Sequence, residues 1–360
     1  MRQLKVCYFM QTYPSFLRTA LQYRRLLGKR YLLTSVADAD VVVLHGDFTC
    51  IQSWLERFPS LSAKYLIGYC VWETSDLPVA ARRALLAMRE VWTCSEYCRA
   101  IFSKYHSSVK VIPHIIERDT AFSDQDLATI KNLVTYDANQ SYFLSIGRIG
   151  DVRKNLHFLI EQFEDCVNSM PGAKLIVKDF PSDTNVKFKS KSVIYLPIIV
   201  SDSQMNALYH LSCAYVSAHH SEGWGLTLSD AMLLRRPVIA TGYSGNVDFM
   251  NDNNSFLVNY QERFISAEDC SGLFSQDMKW AYPADDSLKN NLRSLYLSHS
   301  SLSTLVKVEQ ATSDIRAFCS SSVANLIYVE LDNQLGSNQA SRAEDRTLPP
   351  LLFRSIAAPP

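Results

Sequence analysis

The sequence predicts an α/β protein of two Rossmann-like, doubly wound domains facing a central cleft. Three observations lead there. The chain has 360 residues, and at about 150 residues per domain that length asks for about two cores. Short β-branched runs alternate with longer amphipathic stretches, the pattern of parallel strands covered by helices. The alternation falls into two blocks separated by a polar region over residues 121–140. We place the boundary at 138, with an N-terminal domain over 1–137 and a C-terminal domain over 138–335, the last helices crossing back onto the first domain. Residues 336–360 are polar and then Pro-rich, and read as a flexible tail without a core of its own.

In the first block, Lys5–Met10, Tyr31–Val36, Val41–Leu44, Lys64–Tyr69, Glu90–Cys94 and Val109–Ile112 are short runs of branched and aromatic residues, hence predicted strands. Phe16–Leu27, Cys50–Phe58 and Pro78–Met88 carry apolar residues at helical spacing, and Ser95 is a good N-cap for a helix reaching about Tyr105. The polar region holds one more helix. In the second block, strands are predicted at Tyr142–Ile146, Ala173–Val177, Val193–Tyr195, Ala214–Ala218 and Pro237–Ala240. Helices are predicted at Asn155–Asn168, Gln204–Leu211, Thr227–Leu234 and Leu288–Leu297, with Ser201 and Gln204 forming a capping box. Ligands of doubly wound folds sit beyond the carboxyl ends of the strands, so chemistry is sought in the loops that leave them.

Composition narrows the partners. Lys+Arg and Asp+Glu both total 36, giving no net charge, whereas nucleic-acid binding calls for a basic excess. The balance hides a split: residues 1–118 carry a net of +7 and residues 119–360 a net of −7. Nine cysteines at irregular spacing fit reduced thiols and a cytoplasmic location. No apolar run approaches about 18 residues, and the first strand lacks the features of a signal peptide.

The most informative stretch is His219-His-Ser-Glu-Gly-Trp-Gly-Leu-Thr-Leu-Ser-Asp230, between a predicted strand and a helix. Gly223 and Gly225 allow close backbone approach, and the amides of Leu226 and Thr227 at a helix start attract an anion. Glu222 and Asp230 flank that start, an arrangement suited to a diphosphate with hydroxyls on either side; an ordinary capped strand–turn–helix is the alternative. Gly147-Arg-Ile-Gly-Asp-Val-Arg-Lys-Asn155 also leaves a strand, and Arg148 and Lys154 could converge on one diphosphate, or could be solvated loop charges. Asp38-Ala-Asp40 precedes a strand and reads as a loop, so no metal site is expected.

These motifs, with Pro237-Val-Ile-Ala-Thr-Gly-Tyr-Ser-Gly-Asn246 beyond them and Trp280-Ala-Tyr-Pro-Ala-Asp-Asp286 further on, resemble the retaining GT-B glycosyltransferases of family four, the glycosyl transferases group 1, with their E-x7-E signature. Gly68–Glu73, Val91–Glu96 and Val111–His114 extend the resemblance into the first block. It implies a nucleotide-sugar donor (UDP-, GDP- or dTDP-linked), no cofactor, and a glycan or lipid-linked glycan acceptor in surface polysaccharide or lipopolysaccharide synthesis. By the same resemblance Glu222 would bond donor-sugar hydroxyls, and the amides around Gly225–Thr227 the distal phosphate. Arg148 and Lys154 would stabilise the leaving diphosphate in place of a metal. Asp230, where the family has Glu, would hold the ribose; Gly245 and Asp248 would lie near the donor, and Tyr195 and Leu196 near the base.

The acceptor side carries weaker signals. Glu73 stands where relatives place a polar group facing the donor, with Trp72 as a sugar-stacking platform; a capping Glu and a core Trp are the alternatives. His114 and His45 are further candidates, with a turn as the other reading of His45. Arg18, Arg24, Arg25, Lys29 and Arg30 accompany apolar residues on the first helix, which could dock on an anionic membrane at its inner face or simply carry a solvated outer side. A non-catalytic sugar-nucleotide-binding or scaffold subunit of the same fold is the rival to an enzyme.

Overall fold

The computed structural model describes residues 3–181, 188 and 190–341. The N-terminal domain runs β1 (Lys5–Met10), α1 (Pro14–Arg30), β2 (Leu32–Leu33), β3 (Val41–His45), α2 (Phe48–Arg57), β4 (Tyr65–Tyr69), α3 (Val79–Leu86), β5 (Glu90–Thr93), α4 (Glu96–Phe102) and β6 (Val109–Val111). Its six strands lie in the order β2-β1-β3-β4-β5-β6, all parallel. The order reverses between β1 and β3, where a doubly wound sheet opens a crevice. The central β3, Val-Val-Val-Leu-His, is buried along its whole length, as a parallel strand covered on both faces must be. The second strand is only Leu32–Leu33, shorter than its apolar run, because Val36, Ala37 and Asp38 form a turn toward β3.

Next comes α5 (Asp124–Leu133), opened by a capping box between Ser123 and Asp126. It packs on α7 of the second domain, so the segment just before residue 138 sits with the C-terminal sheet. That domain runs β7 (Ser141–Ile146), α6 (Leu156–Cys166), β8 (Ala173–Asp179), β9 (Val193–Pro197), α7 (Asp202–Leu211), β10 (Ala214–Ser217), α8 (Leu226–Leu233), β11 (Val238–Thr241) and β12 (Phe256–Val258). The sheet order is β12-β11-β10-β7-β8-β9, again parallel. Its reversal lies between β7 and β10, the two strands whose exit loops carry the motifs. The capping box of Ser201 and Gln204 opens α7 as predicted.

A hairpin, β13 (Tyr260–Phe264) with β14 (Lys279–Pro283), follows, and then α9 (Asp285–Ser298), α10 (Leu302–Arg316) and α11 (Ser320–Ser341). Of the last helices only α11 crosses back. Tyr328 Oη donates to Leu26 O at 3.0 Å, and Arg30 pairs with Asp332. By contrast α10 stays on α8, where Thr312 Oγ1 donates to Met232 O at 3.1 Å. The first residues of the expected tail continue α11 to Ser341, and residues 342–360 lie outside the described residues. All nine cysteines are free thiols. Among the described residues no helix is long and apolar enough to cross a membrane.

Candidate active site

The loops leaving β7 and β10 are stitched side by side at the reversal of the second sheet. His220 N donates to Arg153 O at 2.9 Å, and Asn155 Nδ2 to Ala218 O at 2.9 Å. Asn155 holds a left-handed backbone (φ 53°), a conformation asparagine tolerates better than most residues. Behind the first loop, buried Asp179 accepts from Ile149 N at 3.0 Å and from Tyr195 Oη at 2.8 Å. One carboxylate thus joins the cation-bearing loop to β9, the edge strand that also carries Leu196.

The second loop is fixed by backbone contacts that tolerate little change. Gly245 N donates to Glu222 O at 2.8 Å, and a Cβ on Gly245 would lie 1.9 Å from Gly223 O. Gly225, the N-cap of α8, has φ 96° and ψ 60°, a region where side chains are strained. Beyond it the amides of Leu226 and Thr227 carry no hydrogen bond to a described residue, leaving the positive end of α8 open to an anion.

At this junction Glu222, with its side chain 9% exposed, meets two cations. Lys154 Nζ donates to its Oε1 in a short ion pair, and Arg153 Nη1 lies 3.1 Å from its Oε2. Burial alone would raise the carboxyl, but Lys154 and Arg153 outweigh it and hold Glu222 down at about 2. Burial pushes Glu73 up, offset in part by Arg153, whose Nε lies 3.9 Å from Glu73 Oε1. The neighbouring His219, bonded to Ser217 and Asn246, is lowered to about 4, chiefly by burial, and is neutral at physiological pH.

Residues 140–271 match the family described as glycosyl transferases group 1. That match falls wholly within the C-terminal domain and spans the loops after β7 and β10. A curated relative, alpha-1,3/1,6-mannosyltransferase ALG2 of Yarrowia lipolytica, is 24% identical over 234 residues, 62% of this chain and 47% of that protein. The chain thus matches about half the length of that relative. Among solved structures, Anabaena HepE in complex with UDP and glucose is 13% identical with a TM-score of 0.66, covering 92% of this chain and 100% of that one. A glycosyltransferase from Rickettsia africae is also 13% identical, with a TM-score of 0.66 over 94% of this chain and 100% of that one. These likenesses extend the GT-B fold over both sheets.

Within the matched region, the structure brings Lys154, Glu222, Gly223, Gly225 and Gly245 together, and Glu73 joins them from the opposite domain. Arg148 stands apart, exposed on the first loop. Asp230 is buried and already gripped. Arg18 Nη1 and Nη2 donate to its two oxygens at 2.7 and 2.8 Å, and Arg118 Nη1 donates to Oδ2 at 2.9 Å. Arg118 Nη2 continues to Asn206 Oδ1 at 2.7 Å. Arg18 therefore reaches into the cleft, contrary to the reading of a wholly outward basic helix; it lies on the flank of α1 between the packed and solvated faces.

Two acceptor candidates are corrected. Trp72 is a core residue: its Nε1 donates to Thr74 Oγ1 and Asp76 O, both at 2.7 Å, and its ring packs edge-on against Phe48 and Phe274. No face is left for a sugar. His45 is fully buried at the end of β3, bonded to Tyr8 Oη at 2.7 Å and near Thr19 Oγ1 at 3.3 Å, and burial drives it well below its usual range. His114 lies nearer the cleft. Its Nδ1 is 3.1 Å from Tyr69 Oη, its ring sits edge-on to Trp224, and burial followed by Arg18 lowers it to about 3. Arg153 and Arg118 carry no distinct signal in the sequence, because their partners Glu222, Glu73, Asp230 and Asn206 are brought near only by the fold.

Proposed function

We propose that the chain transfers a hexose-type sugar, with retention, from a nucleoside diphosphate donor to a glycan or lipid-linked glycan acceptor of the cell surface. The observation that carries this is the convergence of Lys154, Glu222 and the open amides of Leu226 and Thr227 at the exits of adjacent strands. Departure of the donor's diphosphate builds negative charge while the anomeric carbon becomes oxocarbenium-like. Preorganised cations and helix amides are the largest expected stabiliser of such charge. Lys154, joined by the exposed Arg148 closing over the ligand, supplies that role without metal. Glu222 would hold the sugar hydroxyls, and Tyr195 and Leu196 lie on the edge strand available to the base. UDP bound to the HepE fold supports a uridine donor as the first to try. Glu73, facing Glu222 through Arg153, and His114 are the groups offered to the acceptor.

The exposed Arg24, Arg25 and Lys29, with half-exposed Leu21 beside them on α1, suit contact with an anionic membrane surface at the cytoplasmic face. Recruitment to anionic but not neutral vesicles, lost on reversing these three charges, tests that part. One observation favours a non-catalytic nucleotide-binding subunit instead: Arg18 and Arg118 already occupy the carboxylate expected to hold the ribose. A screen of UDP-, GDP- and dTDP-sugars by thermal shift, followed by product analysis, separates the readings, since a bound donor raises stability by mass action. Transfer abolished by Glu222→Ala and Lys154→Ala supports the enzyme. Donor bound without transfer or hydrolysis supports the subunit.

A further inference from the structure

Two adjacent cations hold Glu222, and their surroundings differ. Lys154 Nζ makes its one polar contact among the described residues with Glu222. Arg153 is fixed through both terminal nitrogens: Nη1 donates to Ser221 O at 2.8 Å and faces Glu222 at 3.1 Å, and Nη2 donates to Asp151 at 3.2 Å, while Nε lies in a looser ion pair 3.9 Å from Glu73. Its carbonyl accepts from His220 N, so main chain and side chain are both pinned to the Glu222 loop. A lysine with one partner can follow an incoming diphosphate, whereas a guanidinium held by three close partners cannot.

We propose that Arg153 is a positioning residue that keeps Glu222 charged and oriented while Lys154 moves to the donor's diphosphate, and that it couples this carboxylate to Glu73 of the opposite domain. This rests on the donor reading above. Were Lys154 drawn away with no second cation, a buried carboxylate would take a proton and lose its acceptor strength toward sugar hydroxyls. The groups facing Glu222 bear this out. Lys154 and Arg153 come from the loop after β7, Glu73 from the N-terminal domain, His219 from its own loop and Tyr215 from β10; Asp151, on the same loop as the two cations, reaches Glu73 and Arg153. With Lys154 gone, Arg153 is the remaining group certain to be positive at neutral pH, since His219 is neutral and the others are acidic or uncharged.

The test follows the Glu222 carboxyl by 13C NMR of glutamate-labelled protein, with Glu222→Gln assigning the signal and UDP as the probe that draws on Lys154. In Lys154→Ala, with Arg153 intact, Glu222 should stay ionised from pH 8 to pH 5. In Arg153→Gln with UDP bound, its midpoint should climb into that window, and Arg153→Lys should restore part of the difference. In turnover, Arg153→Gln should lose kcat/KM about tenfold between pH 8 and pH 6 while the donor KM changes less than about threefold. Protonation of Glu222 above pH 5 in Lys154→Ala, or an unmoved midpoint in a folded, UDP-bound Arg153→Gln, would overturn the proposal. The Lys154→Ala arm needs neither nucleotide nor turnover, so failure of every nucleotide sugar to bind would strike the functional reading and leave this arm standing.

Discussion

Replacing Asp230 by Asn changes one oxygen to an amide nitrogen at the point where both domains meet. In the structure three charge-assisted bonds of 2.7, 2.8 and 2.9 Å run from Arg18 and Arg118 to this carboxylate. An asparagine can accept with its remaining oxygen, but its NH2 then faces guanidinium N–H groups, and two positive charges lose their counter-ion. Removing one partner of a well-buried ion pair costs about 3–5 kcal/mol. Arg18 is 29% exposed and is partly solvated without its partner, which brings the expected loss to about 2–3 kcal/mol. At roughly 2–4 °C per kcal/mol for domains of this size, the melting temperature should fall by about 5–10 °C. Scanning calorimetry of wild type, Asp230→Asn, Arg18→Gln and the double variant measures it. The two single losses should be clearly non-additive, because each breaks the same clamp. A fall below about 1 °C, or strict additivity, would refute the idea that this carboxylate holds the domains together.

Gly245→Ala places a methyl 1.9 Å from Gly223 O; because the obstacle is backbone, it should displace the Glu222 loop and abolish donor-induced stabilisation, read by thermal shift with UDP. Buried His45, His114 and His219 are all lowered in the folded state, the last two to about 3 and about 4. The unfolded chain therefore binds protons first as pH falls below about 6.5. The histidine contribution to stability should be flat above that pH and drop steadily toward pH 4, with His114→Asn flattening part of the slope in urea titrations. Glu73 has its pKa raised in the fold, so its contribution is lost as pH rises through that value. Glu73→Gln should match or exceed wild-type stability at pH 7.5, and a large loss there would show that its pairing with Arg153 outweighs its burial.

What could be read from sequence follows from the range of the signal. Strand runs such as Val41–Leu44 and the loops after β7 and β10 announce themselves locally, through β-branched content and glycine spacing, so the fold and the meeting of those two loops were legible. The hairpin β13–β14 was not. Every residue of Tyr-Gln-Glu-Arg-Phe264 is exposed, so burial imposes no alternation on it. Arg18 is helical in register with Arg25, but its partner Asp230 is 212 residues away, and nothing in the α1 pattern points there. His45 ends β3 and Trp72 follows β4 by three residues, so both look like cleft residues. Their burial is decided by neighbours, Phe48, Phe274, Tyr8 and Tyr69, that only the packed sheet assembles. Arg153 and Lys154 are adjacent cations in the sequence, and only the packed loops show that one is held by several partners and the other by Glu222.

The central claim is that Lys154, Glu222 and the start of α8 form a site for a nucleoside diphosphate sugar. Calorimetric titration of wild type, Lys154→Ala and Glu222→Ala with UDP and UDP-glucose tests it most directly. Wild type should bind both ligands, Lys154→Ala should weaken both by about tenfold or more, and Glu222→Ala should weaken the sugar nucleotide while sparing UDP. Equal affinity of all three proteins for both ligands would contradict the account.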